Sequence, residues 1–308
     1  MNSNYKEKQL EAAKGWWDSE KIDKWDRKYD DYELFTMRYL NSRQTKILKF
    51  IDELKFKKGA KVLELGYGAG QTALKLGQRG FEVYGVDISQ KLSDLAKQRC
   101  LKNCPEGNFF LKIGNLDSKL NYGSEKFDLV VIVGVLQYLY DPNVCLKEAY
   151  RVLKPGGYLI NAQLNTFRLN RFTSIRKFLV TCTHFILNEK HVLHPSFRAI
   201  IVDSKLGTLF KRFEKSKFLN SKFMIKGHLF WKYEVKKNIF SGRILKSILK
   251  KIGFTPLKVD GVFYSFYENS KYHKLNIKID KFLQKLIDKG FAPFLLHRGQ
   301  TTIVLSQK

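Results

Sequence analysis

Cysteine, acidic side chains and long apolar runs are all scarce in this chain of 308 residues, and each scarcity excludes something. The four cysteines, Cys100, Cys104, Cys145 and Cys182, are too few for a disulfide framework and have no zinc-site company, so reduced thiols in a cytoplasmic compartment are expected. No window approaches the ~20 apolar residues of a membrane-spanning helix. The stretch from Met1 to Lys28 is charged and Trp-rich, unlike a secretory signal. No internal repeat or low-complexity linker is visible. Asp and Glu number 29 against 56 Lys and Arg, a net charge of +27.

That excess is concentrated. Residues 166–252 hold 20 Lys and Arg against 4 Asp and Glu, a net of +16 in 87 residues, while residues 1–165 carry +6 and the last 56 carry +5. Such a region attracts nucleic-acid phosphates, anionic lipid headgroups or an acidic protein, and its sign alone does not separate them. A Lys-rich compositional bias is the plainer account. Hydrophobic residues make up 44%, enough to bury a core and to exclude a disordered chain.

From Lys61 to Leu164 short apolar runs alternate with helical patterns, the mark of βαβ units and a parallel sheet. Strands are expected at Val62–Leu65, Glu82–Val86, Phe109–Ile113, Phe127–Val133 and Tyr158–Ala162. Helices are expected at Gly70–Arg79, Gln90–Asn103 and Val144–Leu153, the last stopped by Lys154-Pro155-Gly156-Gly157. Residues 166–240 break this rhythm and hold four of the six histidines, so they read as a basic, largely helical insertion. Phe172, Ile175, Phe178, Leu179, Cys182, Phe185 and Ile186 recur there at helical spacing; such a stripe lies in a membrane interface or, more commonly, is buried. After the insertion come a helix at Ser241–Ile252, a strand at Leu257–Phe266, a helix near Leu275–Lys289 and a last strand at Gln300–Ser306. Residues 1–58 form a helical prelude with Trp16, Trp17, Trp25 and Tyr29, read either as a lid on the sheet edge or as helix that extends the core. The remaining residues 59–308 form the main domain around the insertion.

Chemistry concentrates in Val62-Leu63-Glu64-Leu65-Gly66-Tyr67-Gly68-Ala69-Gly70. Alternating glycines at a strand end permit a sharp turn and let a ligand approach the backbone. Asp87, seventeen residues after Gly70 at the tip of the second strand, is placed to accept hydrogen bonds from ribose hydroxyls. Together they indicate an adenosine-containing cofactor, a dinucleotide or S-adenosylmethionine. Glu64 ahead of the turn suits a cation better than a pyrophosphate.

Four blocks, Glu64 to Gly70, Val86-Asp87-Ile88-Ser89, Phe127-Asp128-Leu129-Val130-Val131 and Leu146 to Gly157, give the chain its resemblance to class I S-adenosylmethionine-dependent methyltransferases. The branch it resembles includes quinone-biosynthesis and natural-product enzymes, and the close likeness covers about a third of the chain. The resemblance implies an α/β, Rossmann-like sheet of seven strands, mostly parallel with the last antiparallel. It implies Gly66, Tyr67, Gly68 and Gly70 beside the methionyl part, Glu64 supporting that site, Asp87 on the ribose and Ile88 against the adenine. Asn115 and Leu116 stand where the family usually has an acidic and a small residue, and the Asn115 carbonyl can accept from an adenine amino group. Val133 or Gly134 would lie beside the methyl donor, and Arg38 or Arg43 would be within reach of its carboxylate.

Catalysis is less legible. The quinone branch often has Glu-His after the fourth strand; this chain has Gln137-Tyr138, and neither is a good base at neutral pH. Tyr138, His191 and His228 are the catalytic candidates, although positioning in a dry pocket, or an acceptor that arrives deprotonated, can suffice. His191-x-x-His194 lacks a third ligand and is followed by Pro195, so no metal is expected. The absence of an Asn-Pro-Pro-Tyr-type loop tells against DNA adenine methylation. The expectation is methyl transfer to a small-molecule or lipidic acceptor by a cytoplasmic protein, with an anionic inner membrane face as a further partner. An RNA-modifying enzyme that tracks phosphates with the insertion is the alternative, nucleic acid being the less favoured partner, and a non-catalytic cofactor-binding subunit is the third reading.

Overall fold

The computed structural model describes residues 3–19, 35–165, 242–264, 273–289, 291, 299 and 301–308. The expected insertion at 166–240, with His191 and His228, lies outside them. Strands β1 (Lys61–Leu65), β2 (Glu82–Asp87), β3 (Asn108–Ile113), β4 (Phe127–Val133), β5 (Leu153–Leu164), β6 (Thr255–Val262) and β7 (Thr301–Gln307) form one sheet in the order β3-β2-β1-β4-β5-β7-β6. Pairings from β3 through to β5 are parallel, and β7 runs antiparallel to both β5 and β6. The central strands read as unbroken apolar runs because helices cover both of their faces.

Helices α1 (Ser3–Trp17), α2 (Phe35–Glu53), α3 (Gln71–Gly77), α4 (Gln90–Asn103), α5 (Pro142–Val152), α6 (Gly242–Ile252) and α7 (His273–Asp288) complete the order. Local chemistry sets their ends. Ser89 caps α4 by accepting the Leu92 N–H, and Asp141 caps α5 by accepting the Asn143 N–H, with Pro142 in the first turn. α5 and α6 bury Leu146, Ala149, Leu245 and Leu249 on one face of the sheet. On the other face α2 buries Ile47, Phe50 and Ile51, each worth about 1.5–3 kcal/mol. α2 is therefore a core helix, the second of the two readings of residues 1–58.

Expected boundaries are corrected at α5, which begins at Pro142 and not Val144, at β6, which runs over Thr255–Val262 and stops before Phe263 and Tyr264, and at β5. Lys154-Pro155-Gly156-Gly157 does not separate a helix from a strand that begins at Tyr158. Instead β5 starts at Leu153 opposite Phe127 and resumes with Tyr158 opposite Leu129, so the four residues form a bulge within the strand. The bulge is held by the chain end: the Gly156 N–H donates to the Lys308 carbonyl, and the Lys308 N–H to that of Gly157.

Candidate functional site

All the parallel strands end on one edge of the sheet, where open α/β sheets bind ligands. There a cavity of about 350 Å³ is lined by Glu64, Gly66, Tyr67 and Gly68 from β1 and its turn, Asp87 and Ile88 at the end of β2, Asn115 to Asp117 after β3, and Val133 to Val135 at the end of β4. Its remaining wall includes Leu10, Ala13 and Trp17 of α1 and Tyr39, Leu40 and Arg43 of α2.

The glycines differ in their reasons. Gly66 has φ +80°, and a side chain there would collide with Val135. Gly68 has φ +53° but faces open space, so its backbone is what a ligand meets. Gly70, expected at the ligand, does not line the cavity: it sits at the start of α3, where a Cβ would press within 2.8 Å of Ala96 on α4. Its absent side chain lets two helices meet. The Tyr67 side chain is also committed elsewhere. Its hydroxyl donates to Ser93 Oγ (2.8 Å), and burial raises its pKa to about 12.

Asp87 is buried and accepts the Gly68 N–H on Oδ2 (2.9 Å) and the Ser89 N–H on Oδ1 (3.0 Å). It ties the glycine turn to the start of α4, and burial holds its pKa above the usual carboxylate range. Each carboxylate oxygen keeps acceptor capacity for a hydroxyl. Glu64 is 2% exposed; burial first, and then the Asp87 charge, push its pKa well up. The Thr72 hydroxyl and the Ala73 N–H donate to it, yet its Oε2 has no hydrogen-bond partner.

Arg43 is the cation on the opposite wall. Its guanidinium lies 3.2 Å from where a Gly134 Cβ would stand, its charge reaches Glu64, and its Nε is buried without an acceptor. The cavity wall thus holds one carboxyl oxygen, Glu64 Oε2, and one guanidinium nitrogen, Arg43 Nε, without hydrogen-bond partners. Of the two arginines considered from sequence, the side chain of Arg38 lies outside the described residues.

Asn115 Oδ1 already accepts the Asp117 N–H at 2.8 Å, which leaves one lone pair for an adenine amine. Asp117, which the sequence reading missed, is buried and lines the cavity, but its oxygens accept the Tyr140 and Asp141 N–H groups and so fix the loop after β4. The signal for it was a carboxylate two places beyond the expected acidic slot. Gln137 donates to the Gly134 carbonyl. Tyr138 lines the cavity and meets Trp17 edge to face, with ring centroids 5.4 Å apart. Of the α1 residues Trp17 was expected in a lid, while Leu10 and Ala13 were not singled out, because nothing local marks which face of a remote helix will dock. Among the described residues no group of three or more His, Cys, Asp or Glu is placed to hold a metal ion.

Residues 63–161 match the family model described as a methyltransferase domain. The ubiquinone/menaquinone biosynthesis C-methyltransferase of Geotalea daltonii is 24% identical over 172 residues, 55% of this chain and 65% of the relative. The tRNA 5-carboxymethoxyuridine methyltransferase of Escherichia coli K12 is 34% identical over 100 residues, 32% of this chain and 38% of the relative. The chain thus spans less than two thirds of either. Among solved structures, magnesium protoporphyrin IX methyltransferase from Synechocystis, with bound S-adenosylhomocysteine, shares the fold at 16% identity and a TM-score of 0.56, covering 97% of this chain and 99% of its own.

Proposed function

We propose that this chain, a class I S-adenosylmethionine-dependent methyltransferase by its domain, binds S-adenosylmethionine in the strand-edge cavity and transfers its methyl group to a small-molecule or lipidic acceptor. The observation that carries the reading is the pair of orphaned polar atoms, Glu64 Oε2 and Arg43 Nε, in a cavity shared with Asp87. A zwitterionic methionyl group answers both charges. Asp87 accepts from the ribose hydroxyls, Ile88 and Leu116 flank the adenine, and the Gly68 backbone passes close to the ligand. When bound, S-adenosylmethionine supplies an electrophilic methyl group on sulfur. The residues' task is then to position, to hold charge and to exclude water.

The N-terminal lid is assigned to α1, whose Leu10, Ala13 and Trp17 wall the cavity. Tyr138 beside Trp17 faces the acceptor, and the insertion at 166–240, with His191 and His228, supplies the rest of the acceptor pocket. The protein is assigned to the cytoplasm, peripheral at the inner membrane face; among the described residues no helix is long and apolar enough to cross a membrane.

The test is calorimetry with S-adenosylmethionine and S-adenosylhomocysteine, followed by turnover of labelled S-adenosylmethionine over quinols, phenols, small carboxylic acids and transfer RNA. Binding that Arg43→Met weakens at least tenfold, with transfer to a small acceptor, is expected. No binding would sink the cofactor assignment. Transfer to RNA alone would sink the acceptor class, and binding without turnover across the panel would favour a non-catalytic subunit.

A further inference from the structure

α7 carries lysines at 274, 278, 281 and 285, with Lys289 directly after its end, the spacing that stacks side chains along one helix face. All five are exposed, and none makes an ion pair among the described residues. The opposite face is spent on the fold. Leu283, Leu286 and Ile287 pack on the buried Tyr264, and Asp280 Oδ1 accepts the Tyr264 N–H at 2.7 Å. The lysine stripe is therefore turned outward by its own helix's packing.

Beside the stripe the surface is apolar. Phe282 is 61% exposed and Leu275 44%, seven residues apart and so on the same side. Phe291, 75% exposed, is held at the end of α7 by its N–H bond to the Leu286 carbonyl. Exposed Phe and Leu alternating with lysines along one helix match the side of an amphipathic helix that enters a lipid headgroup layer. On the other flank of the stripe an open groove of about 580 Å³ separates α2 from α7, lined by Thr45, Lys46, Lys49, Asp280, Lys281 and Gln284. Asn41 also lines it, with a buried Nδ2 that lacks an acceptor. Asp280 lines this groove and Asp260 pairs with its Lys46, so the headgroup charge is met by the outward lysines of α7 and not by the groove.

We propose that the outward face of α7 docks the protein on an anionic phospholipid surface, with Phe282, Leu275 and Phe291 entering the acyl boundary and the lysines meeting headgroups. Charge complementarity selects the occupant's sign. Bases can stack on Phe282 and Phe291 but not on Leu275, whereas an acyl boundary buries all three, and that selects a bilayer over RNA. This surface is separate from the strand-edge cavity, and it stands or falls without the methyl-transfer reading.

The test is flotation of the full chain with phosphatidylcholine vesicles, with and without phosphatidylglycerol, in the absence of cofactor and acceptor. Binding is expected only with phosphatidylglycerol. Lys278→Glu, Lys281→Glu and Lys285→Glu together should weaken it about 100-fold. Leu275→Ser with Phe282→Ser, which leaves the charge unchanged, should weaken it about tenfold. All these positions are exposed, and circular dichroism checks that the variants fold; if the triple variant fails that check, the serine pair decides. Quenching by brominated acyl chains should rise in Phe282→Trp above the level of the parent chain. Undiminished binding of the serine pair would overturn the proposal, because charge elsewhere would then account for it. So would absence of vesicle binding in a protein that holds transfer RNA through the same lysines.

Discussion

Ser89 Oγ donates to Asp18 Oδ1 at 2.6 Å, joining the end of α1 to the residue that caps α4. The same aspartate oxygen accepts the Lys91 N–H at 3.3 Å, and the Trp17 carbonyl lies 3.1 Å from the Ser89 hydroxyl. Since Ser89 follows Asp87 and Ile88 directly, the latch of the lid is built on the strand tip that the cofactor reading assigns to ribose and adenine. Lid closure and cofactor binding should therefore be coupled.

Asp18→Ala removes the charged acceptor and leaves the weaker Trp17 carbonyl contact. Loss of a hydrogen bond to a charged group is worth about 1.5–3 kcal/mol, so S-adenosylhomocysteine should leave about tenfold or more faster, as read by stopped-flow displacement. An unchanged dissociation rate would show that α1 is a fixed wall and not a lid.

Proton release should accompany binding of S-adenosylmethionine. Burial and the Asp87 charge raise the pKa of Glu64 in the free protein, while a cationic ligand favours its ionised form. Binding therefore expels a proton, and affinity should fall as pH falls. Calorimetry in buffers of different ionisation heat reads this directly, and Glu64→Gln should remove most of the effect. A heat independent of buffer would mean that Glu64 is already charged, or that it does not face the ligand.

Stability should respond to Asp280, whose pKa is raised by burial from 3.8 to about 6. The folded state then binds more protons than the unfolded one between those values. This contribution to stability is present below about pH 4 and is lost as pH rises through 6. Asp280→Asn keeps an acceptor for the Tyr264 N–H and removes the buried charge, so it should raise the midpoint of thermal unfolding at pH 8, by the equivalent of about 1–3 kcal/mol. At pH 4 the two proteins should melt together. A lower midpoint at pH 8 would indicate that a nearby lysine, such as Lys281 in the same groove, depends on the charge.

Much of the central sheet was legible along the chain. Continuous apolar runs bounded by turn residues locate β1 to β4 within about a residue, and the helix after β2 falls at Gln90–Asn103 as expected, whereas the one after β4 begins at Pro142, two residues before the expected Val144. β5 was misjudged at its start because a Pro-Gly-Gly bulge and a Pro-Gly-Gly stop look alike locally. They differ in whether Lys308 returns to pair with Gly156 and Gly157, a contact across about 150 positions of sequence. The roles of Gly70 and Tyr67 were obscured in the same way, since only packing shows that one admits Ala96 and the other turns its hydroxyl to Ser93.

Short-range chemistry was enough for the turn at Gly66 to Gly70, the acid at Asp87 and the class of cofactor they indicate, because those residues act through backbone freedom and charge within one βαβ unit. Folding alone brought Trp17, Tyr39 and Arg43 to the same cavity and left Glu64 Oε2 and Arg43 Nε unmatched inside it. It also turned the lysines of α7 outward by spending the opposite face on Tyr264. Which groups become neighbours, and which are left without one, depends on burial of apolar faces far apart in the chain, and no local pattern records that.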